Sequence, residues 1–273
     1  MSRQNKFLFI ILCILAVYMT GCGSFRKFTK TETEKFTINA ASKRALTLDN
    51  VSGNITIIKS QDSTVKITAV KEVLVRKKDL DKPFDEVKIV IDTLTDNIRI
   101  DYDTRDYDDG PFSKMRRPEV NYTIAVPSFL SLKIDNNSGN IILNNLENDI
   151  VLGLIYGEVS LEHVSGNIKA DINSGDVTGT IDSTKGMIFD IINGDVRLTL
   201  GPNVNAKVRA DWIHGKLEYD GLTFMNVDRY DNRDGSRDNE SFKGTLGSGL
   251  YDIRIDMTNG KIRFFGNGTS TTL

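Results

Sequence analysis

The stretch that decides the fold is VSGNIKADINSGDVTG, from Val164 to Gly179. It contains the pattern Ser-Gly-(Asn/Asp)-(Ile/Val) twice, with the two glycines nine residues apart. Between them, Ile168, Ala170 and Ile172 alternate with charged residues. Because successive side chains of a strand point to opposite faces, this alternation predicts a β-strand that buries one face. The stretch therefore predicts a strand held between two glycine turns.

Similar glycine turns recur along the chain. One series runs from Gly139 to Gly215 with spacings of 18, 18, 19 and 21 residues, and a second places Gly166 and Gly186 20 residues apart. A unit of this size cannot bury its apolar face alone, whereas stacked units form a continuous core. The predicted fold is all-β, a parallel β-solenoid with about 18–21 residues per coil. Hairpins in an antiparallel β-meander or sandwich are the alternative. The predicted turn glycines are Gly53, Gly139, Gly157, Gly166, Gly175, Gly186, Gly194, Gly215 and Gly260.

The residue after each turn glycine argues against a calcium-binding repeat. A calcium site needs an oxygen ligand at every such position. Asn54 and Glu158 would satisfy this need, but Met187 and Lys216 stand at equivalent positions. Turn geometry makes no such demand, because glycine tolerates unusual backbone angles. The glycines are therefore predicted to be structural, and no metal or cofactor is expected.

The N-terminus has the pattern of an export signal. Arg3 and Lys6 precede an apolar run, FLFIILCILAVY, over residues 7–18. This run is too short to span a bilayer but fits a secretory signal. The sequence MTGC, ending at Cys22, resembles the lipobox of bacterial lipoproteins. The resemblance implies cleavage before Cys22 and acylation of this cysteine, which would anchor the chain in a membrane.

The signal sets the expected domain organisation and charge. Cleavage would leave Cys22 as the only cysteine, so no disulfide is expected. It would also change the formal net charge from −2 to about −4 by removing two basic residues. This charge and the lack of a basic stripe argue against a nucleic-acid partner. The predicted divisions are a signal peptide (1–21), a lipidated N-terminus and tether (22–35), a single β-solenoid domain (36–266) and a C-terminal tail (267–273).

A family resemblance covers most of the remaining chain. The stretch YTIAVPSFLSLKIDNNSGNIILNNLENDIVL (122–152) resembles adhesin-type bacterial domains of unknown function, in which a strand ending in Val-Pro precedes repeated Ser-Gly turns. YDIRIDMTNGKIRF (251–264) resembles the closing strand pair of those domains, and LTLDNVSGNITI (46–57) resembles their opening coil. The resemblance implies a β-helical surface or periplasmic module, and it brings no catalytic residues with it.

Two acid-rich segments, 101–118 and 228–240, are candidate cation sites. Basic residues within the first segment oppose that role. In the second, aligning Gly235 with the glycine of an EF-hand loop puts Tyr230 and Ser241 at the first and last ligand positions, where they cannot serve. Both segments are therefore interpreted as charged loops that could contact a partner.

Histidine chemistry is also not expected. The chain has two histidines, His163 and His214, which are far apart in sequence. Two isolated histidines form neither a zinc site nor a catalytic dyad. Both are expected at exposed or edge positions, and no catalytic residue is predicted.

The predicted function is that of a lipid-anchored cell-envelope protein, held on an outer membrane or its periplasmic face through Cys22. It would act as a non-enzymatic adhesin or scaffold whose partner is another envelope protein or a surface polysaccharide. The alternative is a carbohydrate-active enzyme that uses outward carboxylates. Glu158, Glu162, Asp171 and Asp176 are the candidates for such a pair.

Overall fold

The structure is a computed structural model, and its described residues contain β-strands and no α-helix. The signal peptide, Cys22, the tail 267–273 and most of both acid-rich segments lie outside the described residues. The structure describes residues 27–77, 80–81, 87–103, 118–230 and 239–266.

The prediction of an all-β chain is confirmed, because 19 strands join in one hydrogen-bonded sheet. Most strands show buried side chains at every second position, as the sequence alternation predicts. In chain order the strands are β1 (Lys27–Asn39), β2 (Ala45–Asn50), β3 (Ile55–Lys59), β4 (Thr64–Arg76), β5 (Lys88–Asp92), β6 (Asn97–Asp103), β7 (Glu119–Val126), β8 (Ser131–Ser138), β9 (Ile141–Asn144), β10 (Ile150–Tyr156), β11 (Val159–Val164), β12 (Asn167–Ser174), β13 (Val177–Ile181), β14 (Gly186–Asn193), β15 (Val196–Leu200), β16 (Ala206–Asp220), β17 (Met225–Tyr230), β18 (Glu240–Leu246) and β19 (Tyr251–Gly266).

The repeated segments pair in parallel and in register. Leu132 of β8 pairs with Ile150 of β10, which pairs with Ile168 of β12, and this residue pairs with Met187 of β14. The steps between these partners are 18, 18 and 19 residues. We call the run β6, β2, β8, β10, β12, β14, the first part of β19 and the first part of β16 the first face.

A second run of parallel strands follows the glycine turns. It contains β7, β3, β9, β11, β13, β15 and the last parts of β19 and β16, and we call it the second face. The buried apolar side chains of both faces belong to one core. Stacking of the repeats therefore buries a continuous apolar interior, as the repeat pattern requires.

The sheet is mixed, because antiparallel strands close both ends. β1 pairs with β4 and β4 with β7 at one end, where β5 also pairs with β6. At the other end, β18 pairs with both β16 and β17. Antiparallel pairing, the alternative expectation, is thus found at the ends, whereas the repeats themselves are parallel.

The order of strands in space differs from the order in sequence at both ends. β2 lies between β6 and β8, and β19 lies between β14 and β16. Gly215 is therefore stacked on Gly260 and not on Gly194. The spacing of 21 residues between Gly194 and Gly215, which was read as one coil, is not a stacking step.

The first strand begins inside the segment that the sequence predicted as a tether. β1 starts at Lys27 and pairs with β4 along its whole length, from Lys27 opposite Arg76 to Asn39 opposite Thr64. Lys71 of β4 is buried and binds Glu32 and, at shorter range, Glu34 on β1. These buried contacts fix residues 27–35 to the sheet, so the paired part of the chain starts earlier than the predicted domain boundary at residue 36.

Candidate functional site

The outward side of the first face carries three rows of side chains that run across the strands. Each row contains one residue from every strand, because the parallel strands are in register. From β8 through β10, β12, β14 and β19 to β16, the basic row is Lys133, Val151, Lys169, Ile188, Arg254 and Arg209. The acidic row is Asp135, Gly153, Asp171, Asp190, Asp256 and Asp211. The third row lies two positions after the acidic row on each strand. It contains Asn137, Ile155, Asn173, Ile192, Thr258 and Ile213.

Most aspartates of the acidic row bind a basic side chain two positions earlier on their own strand. These pairs neutralise carboxylates that would otherwise repel each other across neighbouring strands. Their side chains are substantially exposed, so each pair contributes only about 0–1 kcal/mol to stability. The nitrogen–oxygen distances are 2.8 Å for Lys133–Asp135, 3.3 Å for Arg209–Asp211 and 4.0 Å for Lys169–Asp171, and Arg254 also binds Asp256.

The acidic row continues toward the N-terminal end of the stack. Asp49 of β2 pairs in register with Asp135. Arg99 of β6 binds Asp49 at 3.1 Å and Asp101 at 2.7 Å. Burial, together with the hydrogen bond and charge of Asp101, raises the pKa of Asp49. A single arginine thus serves two carboxylates at this end.

Asp190 differs from the other aspartates of the row. Ile188 occupies the position two residues before it, where its neighbours have a basic residue. Partial burial is the main cause that raises the pKa of Asp190, followed by a hydrogen bond with Asp171 and the negative charges of Asp256 and Asp171. Asp190 therefore takes up a proton more readily than an isolated, exposed aspartate does.

The third row alternates between polar and isoleucine side chains from strand to strand, whereas the acidic row has an aspartate on each of these strands except β10. β8 and β12 present Lys-Asp-Asn, and β19 presents Arg-Asp-Thr. The strands between them present Val-Gly-Ile on β10 and Ile-Asp-Ile on β14, and the last strand, β16, presents Arg-Asp-Ile. Since neighbouring strands are about 4.8 Å apart, the chemical pattern repeats about every 10 Å across the sheet.

An open groove of about 900 Å³ lies along the acidic row and the third row. Aspartates are the only charged residues among its lining residues in the described part of the chain. The isoleucines on its other side are unusually exposed for apolar side chains, with Ile155 at 39%, Ile192 at 49% and Ile213 at 38%. The groove therefore combines hydrogen-bond acceptors with apolar contacts, as ligand sites commonly do.

The predicted turn glycines mostly lie where the chain passes from the first face to the second. Gly139, between β8 and β9, has φ of 125°, which a residue with a side chain rarely adopts. Gly175 has no such angle, but a Cβ there would lie 1.6 Å from the carbonyl oxygen of Gly157. At Gly166 the corresponding distance, to the carbonyl oxygen of Asn148, is 1.8 Å. Gly166 and Gly175 are thus required because neighbouring repeats approach closely, and not because of a positive φ.

The residues after the corner glycines form hydrogen bonds between repeats. The side-chain oxygen of Asn54 accepts the backbone N–H of Asn140 at 2.9 Å, and that of Asn140 accepts the backbone N–H of Glu158 at 3.0 Å. Asp195 likewise accepts the backbone N–H of Lys261 at 2.9 Å. These contacts explain why Asn and Asp are frequent at a position that the sequence showed to be variable.

Of the four candidate carboxylates, only Glu158 and Asp176 occupy equivalent positions in neighbouring repeats, where the backbone N–H of Val159 donates to the carbonyl oxygen of Asp176. Asp171 belongs to the acidic row on the first face. Glu158 and Asp176 follow corner glycines, and Glu162 lies on β11 of the second face. Both histidines have exposed side chains, and His163 lies 3.0 Å from a carboxylate oxygen of Asp182. The structure therefore brings Glu158 and Asp176 into neighbouring repeats and places Asp171 on the other face.

Sequence reasoning missed the rows themselves. Their signal is a basic residue two positions before an aspartate in successive strands, as in LKID (132–135), IKAD (168–171) and IRID (253–256). Among the described residues, no cluster of His, Cys, Asp or Glu is placed to hold a metal ion. No helix that could cross a membrane occurs in the described ranges.

No protein-family model and no curated protein matches the chain. Among solved structures, it is similar to a "putative cell adhesion protein" from Clostridium sporogenes, with 14% identity, coverage of 87% of this chain and 100% of that chain, and a TM-score of 0.49. For a "putative adhesin" from Bacteroides fragilis, the identity is 14%, the coverage 86% and 97%, and the TM-score 0.39. For a "putative lipid binding protein" from Parabacteroides distasonis, these values are 9%, 87% and 97%, and 0.35. These similarities are too distant to show a family.

Proposed function

We propose that this chain is a lipid-anchored cell-envelope protein whose β-rich domain is a non-enzymatic, adhesin-like interaction module. In this proposal the domain is a β-solenoid closed at both ends by antiparallel strands. The parallel registers with steps of 18 and 19 residues support the solenoid. The observation that carries the proposed function is the open groove on the first face, where exposed isoleucines lie beside a row of aspartates.

Binding through the groove is tested with cells that produce the full chain. Retention of these cells on immobilised envelope material is compared with retention of cells that produce the Ile192→Asp variant. The matched control is Ile58→Asp on the second face, since Ile58 is 38% exposed and Ile192 is 49% exposed. We expect Ile192→Asp to reduce retention at least tenfold and Ile58→Asp to leave it unchanged. Equal retention of all three would overturn the proposal.

The lipid anchor is tested at Cys22. Its support is the sequence alone, in which the apolar run ends just before this cysteine. We expect the full chain to sediment with membranes and to incorporate labelled palmitate, and Cys22→Ala to lose both properties. Cys13→Ala, within the apolar run, serves as the control and keeps both. A Cys22→Ala chain that still incorporates palmitate would contradict the anchor.

A carbohydrate-active enzyme is the second candidate, and Asp190 is the observation that favours it. Its raised pKa would suit a general acid beside the carboxylates of Asp171 and Asp256. Against this role, the basic row binds both of those neighbours. We expect no hydrolysis of polysaccharides by the purified chain. Hydrolysis that disappears in Asp190→Asn would establish the enzyme instead.

A further inference from the structure

The two-strand period of the first face limits which partner can lie in the groove. The groove runs across the strands, so a bound polymer meets a polar side chain and an isoleucine of the third row in turn. A matching polymer must have units about 4.8 Å long and a chemical repeat of about two units. The six strands from β8 to β16 cover about 24 Å in this direction.

We infer that the groove binds an extended, β-linked glycan of uncharged sugars, with about one sugar ring over each strand. This inference rests on the proposed function of the same groove as an interaction site. In such glycans the distance between successive rings is comparable to the strand spacing, and successive rings are turned over relative to each other. Their chemistry therefore repeats every second ring, as the third row of side chains repeats every second strand.

The side chains of the groove suit the two surfaces of a sugar ring. The aspartate carboxylates and the amides of Asn137 and Asn173 accept or donate hydrogen bonds to hydroxyl groups. The exposed isoleucines at 155, 192 and 213 offer apolar contacts to the C–H face of every second ring. A ring over β10 or β14 would thus pack on isoleucine, and its neighbours would be held by polar groups.

An extended peptide fits the period less well. A bound peptide in a β conformation advances about 3.3 Å per residue. Its side chains would not stay aligned with strands of the sheet that are about 4.8 Å apart. Anionic polymers are disfavoured for another reason. The charged residues that line the groove in the described chain are all aspartates, and the basic row lies on the far side of them. A uronic-acid polymer would therefore bring like charges together.

The test uses the full chain in detergent micelles and isothermal titration. The probes are hexamers of β-1,4-linked glucose, β-1,4-linked N-acetylglucosamine and galacturonate, together with the trimers of the first two. We expect at least one uncharged hexamer to bind at least tenfold more tightly than its trimer and than the galacturonate hexamer. Ile192→Asp should weaken this binding at least tenfold, whereas Ile58→Asp on the second face should not change it.

The possible results distinguish failure of the glycan inference from failure of the proposed interaction function. If neither uncharged hexamer binds, or if galacturonate binds best, the inference is overturned. If cells are still retained on envelope material through Ile192 in that case, the interaction function stands and its partner is a protein or an anionic polymer. If glycan binding is equal in Ile192→Asp and Ile58→Asp, the ligand lies elsewhere and the groove is excluded as its site.

Discussion

Two glycines, Gly175 at a corner and Gly153 in the groove, show that the corners and the groove differ in their tolerance of an added side chain. A Cβ at Gly175 would lie 1.6 Å from the backbone oxygen of Gly157, a residue whose own N–H donates to the carbonyl oxygen of Ser174. A Cβ at Gly153 would lie 2.4 Å from a side-chain oxygen of Asp135, which is exposed and can rotate away. The corners therefore fix the stacking of the repeats, whereas the groove can vary without loss of the fold.

The largest effect that tests this comparison is expected from Gly175→Ala. The added methyl group must push two backbone segments apart, so we expect a loss of about 3 kcal/mol in the free energy of unfolding. Gly153→Ala is the matched control, for which we expect a change within about 0.5 kcal/mol. Denaturant unfolding of both variants measures the difference. Equal losses would show that the groove is as rigid as the corners.

A smaller loss is expected inside the corner at Asn136. Its buried amide donates to the carbonyl oxygens of Gly53 and Gly139 and accepts a hydrogen bond from Asn50. Asn136→Ala removes these three buried hydrogen bonds, and Asn50 replaces only part of them through its own bonds to Gly53 and Val120, so we expect a cost of about 2 kcal/mol. The exposed neighbour Asn137 is the control, and its replacement by alanine should leave the thermal midpoint unchanged. A stable Asn136→Ala variant would mean that water can replace the amide.

The hydrogen bonds between repeats on the outside of the corner should contribute less. Asn54→Ala removes the acceptor for the backbone N–H of Asn140, and we expect a loss of about 1 kcal/mol in denaturant unfolding. Asn54→Asp keeps an acceptor oxygen and should lose less. If Asn54→Asp lost more stability than Asn54→Ala, the amide nitrogen of Asn54, and not its oxygen, would be the stabilising group.

The smallest effect is expected in the groove, at Asp190, and it depends on pH. Its raised pKa means that the folded state holds a proton more readily than the unfolded state, so ionisation at neutral pH destabilises the fold. Asp190→Asn should therefore stabilise by about 0.5 kcal/mol at neutral pH. This gain should disappear as the pH falls through the raised pKa and both forms of the protein become uncharged at this position. Thermal melting over this pH range measures it.

Asp62, in the turn before β4, is the control of opposite sign. Hydrogen bonds from Thr64 and Lys66 lower the pKa of Asp62. The ionised group therefore stabilises the fold above its usual pKa, and this contribution is lost as the pH falls. Asp62→Asn should destabilise at neutral pH and become neutral in acid. If Asp190→Asn behaved in the same way, burial and the like charges around Asp190 would not destabilise its ionised form.

The sequence predicted the buried apolar positions of the strands but not the rows of outward side chains that form the groove. Alternation and glycine spacing predicted an all-β chain and the buried rows, because burial imposes one residue class along each row. The groove was not predicted, since its rows join residues 18 to 66 positions apart and the third row alternates in polarity. The location of β19 could not be predicted either, because nothing in a regular spacing shows that a later strand is inserted between β14 and β16.

The position of β19 also constrains how the protein can be made. β16 is synthesised before β19, but its parallel partner along both faces is β19, which itself pairs with β14 and β15. During synthesis the repeats up to β15 can assemble in order. β16, β17 and β18 cannot join the stacked repeats until β19 has been made. The chain from β16 onward therefore completes its fold only after Tyr251–Gly266 has emerged. A chain that stops before β19 would leave the core beside Phe189 uncovered.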